Sequence, residues 1–132
     1  MNITYSTTII PTTAEIIDVY NSSGLNRPTG DAPRIAKMYA NSDVITTAWD
    51  GKKLVGIARS LTDFCYACYL SDLAVRLEYQ KLGIGKELVA LTRKAISPES
   101  MLLLLSAPTA MEYYPKIGMD KLDNAFLIKR EK

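Results

Sequence analysis

Asp72-Leu73-Ala74-Val75-Arg76-Leu77-Glu78-Tyr79-Gln80-Lys81-Leu82-Gly83-Ile84-Gly85-Lys86-Glu87-Leu88 is the stretch on which the reading of this chain turns. It runs from a strand through a polar loop into a helix. From Gly83 to about Ile96 the residues Ile84, Leu88, Leu91 and Ala95 recur at helical spacing, while Lys86, Glu87, Arg93 and Lys94 fall mostly on the other side, and Pro98 ends the pattern. Gly83 and Gly85 stand at the helix entrance, where first-turn N–H groups lack partners. Without side-chain bulk there, an anion can approach the backbone and the positive end of the helix dipole. Lys81 and Lys86 add charge at the rim, and Gln80 adds an amide donor. The same glycines would also let a helix start pack closely, and spacing alone leaves both uses open. Two familiar phosphate loops are excluded. Walker A needs glycine in place of Gln80 and Ser or Thr in place of Glu87; a dinucleotide fingerprint needs a third glycine in place of Leu88.

Upstream, Val44 to Trp49 and Lys53 to Ser60 flank Asp50-Gly51, a dipeptide that supplies the positive φ of a tight turn between antiparallel strands. Tyr66 to Val75 follows as a further strand, with apolar residues on both parities, as expected for a central strand covered on both faces. Ile3 to Ser6 reads as a first strand. Thr12 or Thr13 caps a helix over about Ala14 to Asn21, with Ile16, Ile17 and Tyr20 on one face. A loop over Ser22 to Gly30 leads to a second helix that starts at Asp31, carries Pro33 in its first turn and buries Ile35, Met38 and Tyr39. Downstream, Met101 to Leu105 suits a buried parallel strand, Thr109 to Tyr114 a short helix stopped near Pro115, and Ala125 to Lys129 a last strand. The order βααβββαβαβ predicts one sheet with helices on both faces, and no repeat or linker divides residues 1–132 into more than a single domain.

Composition narrows the chemistry. Sixteen Lys and Arg against fourteen Asp and Glu give a net charge of +2, too balanced for a dedicated nucleic-acid binder. There is no histidine, which removes imidazole bases, Ser-His and Cys-His nucleophile pairs and His-ligated metals, and no metal site is expected. The start of the chain lacks a basic signal-like region, and its longest strongly apolar run falls far short of the roughly 20 residues a bilayer span needs. A cytoplasmic protein without membrane contact is expected. Cys65 and Cys68 form a CxxC inside an aromatic-rich run read as a strand, where positions three apart face opposite ways, so two packed thiols are expected rather than a redox or zinc pair.

Gln80-Lys81-Leu82-Gly83-Ile84-Gly85 resembles the [Q/R]-x-x-G-x-[G/A] loop of the GCN5-related N-acetyltransferase superfamily, GNAT. Leu73-Ala74-Val75 stands where that family has a strand ending in a hydrophobic triplet. Tyr113-Tyr114-Pro115-Lys116-Ile117-Gly118-Met119 is similar to its F-Y-x-x-x-G-F segment. The three matches come in the family's order, and the inferred elements agree over essentially the whole chain. The resemblance implies an α/β (α+β) fold with a mixed, mostly antiparallel central sheet flanked by helices on both faces. It also implies acetyl-coenzyme A as cosubstrate and a primary amine as the usual acceptor.

On the same resemblance, the diphosphate of coenzyme A lies on Gln80, Lys81, Leu82, Gly83, Ile84, Gly85 and Lys86, with Tyr113 nearby. The pantetheine arm pairs with Leu73, Ala74 and Val75 as an added strand would. A backbone N–H near Ala74 or Val75 is then placed to stabilise an oxyanion, and Tyr114 holds the family's position for the acid that protonates the thiolate of coenzyme A. Asp72 is the candidate base, directly or through water, with capping or pairing to Arg59 or Arg76 as its structural alternative. Asp63 and Glu78 are weaker candidates.

The acceptor is expected around Leu25 to Gly30 and Ser60 to Tyr69. Arg27, Phe64, Tyr66 and Tyr69 there would suit a small amine carrying a carboxylate, such as an amino acid, and no acidic cluster favours a polycation. A peptide or protein N-terminus and an aminoglycoside stay open as acceptors, and a noncatalytic coenzyme A binding module and a phosphate-binding regulatory domain stay open as functions. The oligomeric state is open too, with a homodimer among the options.

Overall fold

Local signals place most of the elements in the computed structural model, which describes all residues 1–132. Thr12 caps helix α1 (Thr13–Ser23) by accepting the Glu15 N–H while the Glu15 side chain accepts the Thr12 N–H, a reciprocal box that satisfies two first-turn donors. Gly24 closes the helix in the left-handed region. Asp31 caps α2 (Ala32–Ala40), whose Pro33 sits in the first turn. Strands β2 (Val44–Asp50) and β3 (Lys53–Thr62) meet at a turn where Gly51 has φ +61°.

With β1 (Ile3–Ser6), β4 (Ala67–Val75) and β5 (Met101–Leu103) they make a five-stranded sheet in the order β1-β2-β3-β4-β5. Every pair is antiparallel except β4 with β5, which is parallel. The sheet is mixed and mostly antiparallel, as expected. Helices α1 and α2 bury Ile16, Val19, Tyr20, Ile35 and Tyr39 with Ile45, Leu54 and Ile57 in one core cluster. Helix α3 (Ile84–Ile96) seats Ile84, Leu88 and Val89 with Ala48, Val55, Ala58 and Leu70 in another. Each fully buried aliphatic side chain in these layers is worth about 1.5–3 kcal/mol relative to exposure.

The face of α3 differs from the expected stripe. Ile84, Leu88, Val89, Thr92 and Ile96 are its buried residues, whereas Leu91 is half-buried and Ala95 exposed. Thr92 holds an interior position because its hydroxyl donates to the Leu88 carbonyl one turn back, at 2.8 Å, leaving its methyl free to pack. Gly56 lets the helix come close: a Cβ there would stand 3.1 Å from both Ile84 Cγ2 and Leu88 Cδ1.

Two β-bulges turn side chains from one face to the other. On β3, Gly56 pairs with Ala48 and Leu54 with Trp49, so Val55 is the extra residue. On β4, Leu70 pairs with Ser60 and Asp72 with Arg59, so Ser71 is the extra one. Without the second bulge, Leu70 and Asp72 would share a face. With it, Leu70 packs among the residues under α3, and Asp72 reaches Tyr20 of α1.

Four expectations need correction. β4 begins at Ala67, not Tyr66, and the CxxC straddles its start: Cys65 is exposed in the β3–β4 turn and Cys68 is buried, both as free thiols. The turn is organised by Asp63, whose carboxylate accepts the N–H groups of Cys65, Tyr66 and Ala67. β5 stops at Leu103. A 3-10 turn over Pro108–Ala110 precedes α4 (Tyr113–Lys116), and Pro115 lies within that single helical turn, where its missing N–H costs nothing, so it does not end the helix at Tyr114. The strand expected over Ala125 to Lys129 does not form; Phe126 and Ile128 are almost fully exposed. Strand propensity is realised only against a partner ladder, and no strand of the sheet pairs with these residues. No helix is long and apolar enough to cross a membrane.

Candidate active site

The loop between β4 and α3 has two residues in the left-handed region, Lys81 at φ +67° and Gly83 at φ +83°. Lys81 bears a strain of about 1–2 kcal/mol that glycine would avoid. Gly83 is the N-cap of α3 but has no side chain to cap with, and the first helical bond runs from Glu87 N–H to the Gly83 carbonyl. The N–H groups of Ile84, Gly85 and Lys86 consequently have no acceptor within the chain. They face the end of the helix that favours negative charge, with Lys81 and Lys86 exposed beside them.

Beside this loop the sheet splays. β5 pairs with β4 only through Ala67, Cys68 and Tyr69, so from Leu70 to Val75 one edge of β4 has no neighbouring strand. The Val75 carbonyl instead accepts the Gln80 side-chain amide at 2.9 Å. Leu73, Gly85 and Tyr113 converge just here: a Cβ built at Gly85 would stand 2.9 Å from the Tyr113 hydroxyl and 3.9 Å from Leu73 Cδ2. Of the two uses the sequence left open, close packing is the one seen at Gly85, whose missing side chain gives an aromatic ring room against the helix entrance.

Tyr114 follows on α4, its ring packed edge-on against Tyr113 with centroids 5.2 Å apart. Burial, with a smaller contribution from Tyr113, raises the pKa of the Tyr114 phenol, so it stays protonated at neutral pH. Tyr113 is raised by burial as well.

Across the sheet, Asp72 is buried with both carboxylate oxygens engaged. Oδ1 accepts from Arg27 Nε at 2.6 Å and Ser71 Oγ at 3.1 Å; Oδ2 accepts from Arg59 Nε at 2.6 Å and Tyr20 Oη at 2.7 Å. The Tyr20 hydroxyl in turn meets that of Tyr39. Burial pushes the Asp72 pKa up, but the hydrogen bonds from Arg59 and Tyr20 and the charges of Arg59 and Arg27 outweigh it and hold the carboxyl below its usual range. Of the two pairings considered for Asp72, the one with Arg59 forms; Arg76 pairs with Asp18 at 2.7 Å. Asp63 and Glu78 lie on exposed turns, Asp63 tied to backbone and Glu78 to Lys53.

Above this network opens a cavity of about 680 Å³. Leu25 to Pro28, Arg59, Tyr69 and Ser71 line it, joined by Leu105 to Pro108 beyond β5 and by Arg34, Arg130 and Lys132. Tyr69 and Ser71 on one side and Leu105 and Ser106 on the other place it at the splay of β4 and β5. Arg27 and Tyr69 are where the sequence put an acceptor; Phe64 and Tyr66 are not, being exposed at the β3–β4 turn.

Comparison with known proteins bears directly on this arrangement. The family model for the acetyltransferase (GNAT) domain matches residues 29–128. The chain belongs to the GNAT acetyltransferase family. A structure from meticillin-resistant Staphylococcus aureus, described as a probable acetyltransferase, is similar with a TM-score of 0.84 at 20% identity over 98% of this chain and 100% of that one. The ribosomal-protein-S18-alanine N-acetyltransferase from Escherichia coli superposes with 0.75 at 15% identity over 92% and 80%. Glucosamine-6-phosphate N-acetyltransferase from Arabidopsis thaliana gives 0.71 at 12% identity over the whole of both chains. No curated relative matches the chain by sequence.

GNAT acetyltransferases use acetyl-coenzyme A, and the residues present fit that molecule. Three unpaired N–H groups with two lysines suit a diphosphate, and an unpaired strand edge suits an amide-bearing arm. Sequence reasoning missed Arg34 and the cavity roles of Arg59 and Ser71. It took Tyr20 and Tyr39 for core only. An arginine inside the apolar run Leu54 to Ser60 was the available signal, because such a charge needs a partner on a neighbouring strand.

Proposed function

We propose that this GNAT protein transfers an acetyl group from acetyl-coenzyme A to the primary amine of a small molecule by direct attack of the amine on the thioester. The observation that carries the reading is the adjacency of the unpaired N–H groups at Ile84, Gly85 and Lys86 to the free edge of β4 at Leu73 to Val75. The bound molecule supplies an activated acetyl thioester. The chain's residues hold and aim it: Gln80 to Lys86 grip the diphosphate, Leu73, Ala74 and Val75 align the arm, and Tyr113 bounds it beside Gly85. An N–H near Ala74 or Val75 meets the developing negative charge on the acetyl oxygen.

Tyr114 is our candidate for the acid that protonates the departing thiolate. Even from its ordinary pKa a phenol gives a proton to a thiolate of pKa near 8.5 at a cost of about 2 kcal/mol, and burial adds to that. The transfer therefore has to be coupled to departure of the thiolate. Asp72 was the candidate base, but four donors saturate its carboxylate and its pKa is depressed. We assign it instead to holding Arg27 and Arg59 in place, with the amine losing its proton to water. An acyl-cysteine route is disfavoured, since Cys68 is buried with its thiol pKa raised and Cys65 lies on the exposed turn.

A small acceptor is favoured over a protein by the cavity, whose 680 Å³ is within the range of small-molecule sites. Calorimetric titration with coenzyme A, followed by an amine screen with acetyl-coenzyme A read as released thiol, tests the proposal. Tight binding and amine-dependent release without a burst in the absence of acceptor are expected. Folded protein that binds no coenzyme A, or releases thiol equally without amine, would refute it.

A further inference from the structure

The chain as a whole is nearly neutral, yet the cavity at the splay of β4 and β5 is not. Arg27, Arg34, Arg59, Arg130 and Lys132 line it, and no Asp or Glu does. Two acceptor groups temper that charge: Asp72 lies beneath the wall with its side chain fully buried, shared between Arg27 and Arg59, and the main-chain oxygen of Lys132 accepts from Arg34 Nη2 at 3.2 Å. One negative charge under two positive ones leaves the trio net cationic. A guanidinium has five N–H donors. Arg27 uses three, on Asp72, the Asn26 carbonyl and the Ser71 carbonyl. Arg59 also uses three, on Asp72, Ser42 and Ser71. Two donors therefore remain on each, on side chains that are only 23% and 9% exposed.

Cationic groups held this close repel one another, and Asp72 offsets only part of that repulsion. Their fixed, partly desolvated forks are pre-ordered for a group with two or more acceptor oxygens. We infer that the cavity binds an oxyanion, a carboxylate or a phosphate, and that the acceptor of the acetyl group is a small amine carrying one. The second half rests on the acetyl-transfer reading; the first does not. Arg27 and Arg59 grip the anion, Arg34 and Arg130 close over its outer side, and the amine is left to project toward the splay. A polycationic acceptor is excluded on the same charges.

The test compares matched pairs that differ only in the anion: L-amino acids against their carboxamides, and O-phosphoethanolamine against ethanolamine. Each is titrated by calorimetry into wild-type protein with and without coenzyme A, then assayed with acetyl-coenzyme A. The anionic member of at least one pair is expected to bind at least about tenfold more tightly, in keeping with charge-assisted hydrogen bonds. Which pair responds tells carboxylate from phosphate. In Arg27→Gln, where Asp72 keeps Arg59 and Tyr20, that preference should collapse while coenzyme A affinity is retained. Arg34→Ala, on the exposed face of α2, should reduce it without disturbing the core. Equal affinity within every pair, or tighter binding of the neutral members, overturns the anion site even if neutral amines are acetylated. Selective anion binding without acetyl transfer would keep the site and sink the acetyl-transfer reading instead.

Discussion

The phenol oxygen of Tyr113 occupies the space a side chain at Gly85 would need, only 2.9 Å from where its Cβ would be. The contact ties α4 to the entrance of α3, and it makes position 85 a place where stability and binding separate.

Gly85→Ala should leave stability almost unchanged, because alanine's gain in helix propensity of up to about 1 kcal/mol offsets the push on a ring that can swing outward. Coenzyme A affinity should fall, since the displaced ring no longer bounds its site. Paired urea melts and calorimetric titrations check both.

Gly83→Ala acts through the backbone. The left-handed φ of +83° costs a Cβ-bearing residue about 1–2 kcal/mol, although the space around it is open. A lowered urea midpoint is expected, with a smaller effect on binding than at Gly85 if the loop keeps its course.

Tyr114→Phe keeps the edge-on ring and removes only the hydroxyl. Turnover should drop by about a hundredfold or more if the phenol donates the proton, while coenzyme A binding is largely kept. Steady-state kinetics and calorimetry on the same preparation decide it.

Asp72→Ala strands Arg27 and Arg59 without their shared carboxylate, and loss of one partner from a buried pair costs about 3–5 kcal/mol. Chemical denaturation should show a shift of that order. Replacing Ser71 alone should cost far less.

Acid should weaken the fold in a defined window. Asp72 and Asp63 both have folded pKa values below the ordinary carboxylate value of about 3.9, Asp63 at about 2 because the N–H groups of Ala67, Cys65 and Tyr66 donate to it. The folded state thus binds fewer protons, and the stabilisation is complete above the unfolded value and lost as pH falls through the folded one. The advantage of wild type over Asp63→Asn should shrink between pH 4 and 2, which melts across that range will follow.

Elements set by local rules were legible in the sequence: the capped starts of α1 and α2, the Asp50-Gly51 turn and the glycine entrance of α3. The strand expected at Ala125 to Lys129 was misread because a strand needs a partner that no local pattern names. Of the residues expected around an acceptor, Arg27 and Tyr69 line the cavity while Phe64 and Tyr66 lie away from it, since alternation could not show that β4 starts beyond both.

The sequence by itself determined the family, the order of the elements from β1 to α4 and the glycine entrance of α3, because those depend on residue types at fixed short spacings. Only the tertiary structure decided what lies behind them. A bulge at Ser71 turns Asp72 from the α3 side to the α1 side of the sheet, where it gathers Arg27, from the loop after α1, with Arg59 of β3. A one-residue shift in pairing reverses every later side chain on a strand, and that register is fixed by packing across the sheet rather than by any run of neighbours.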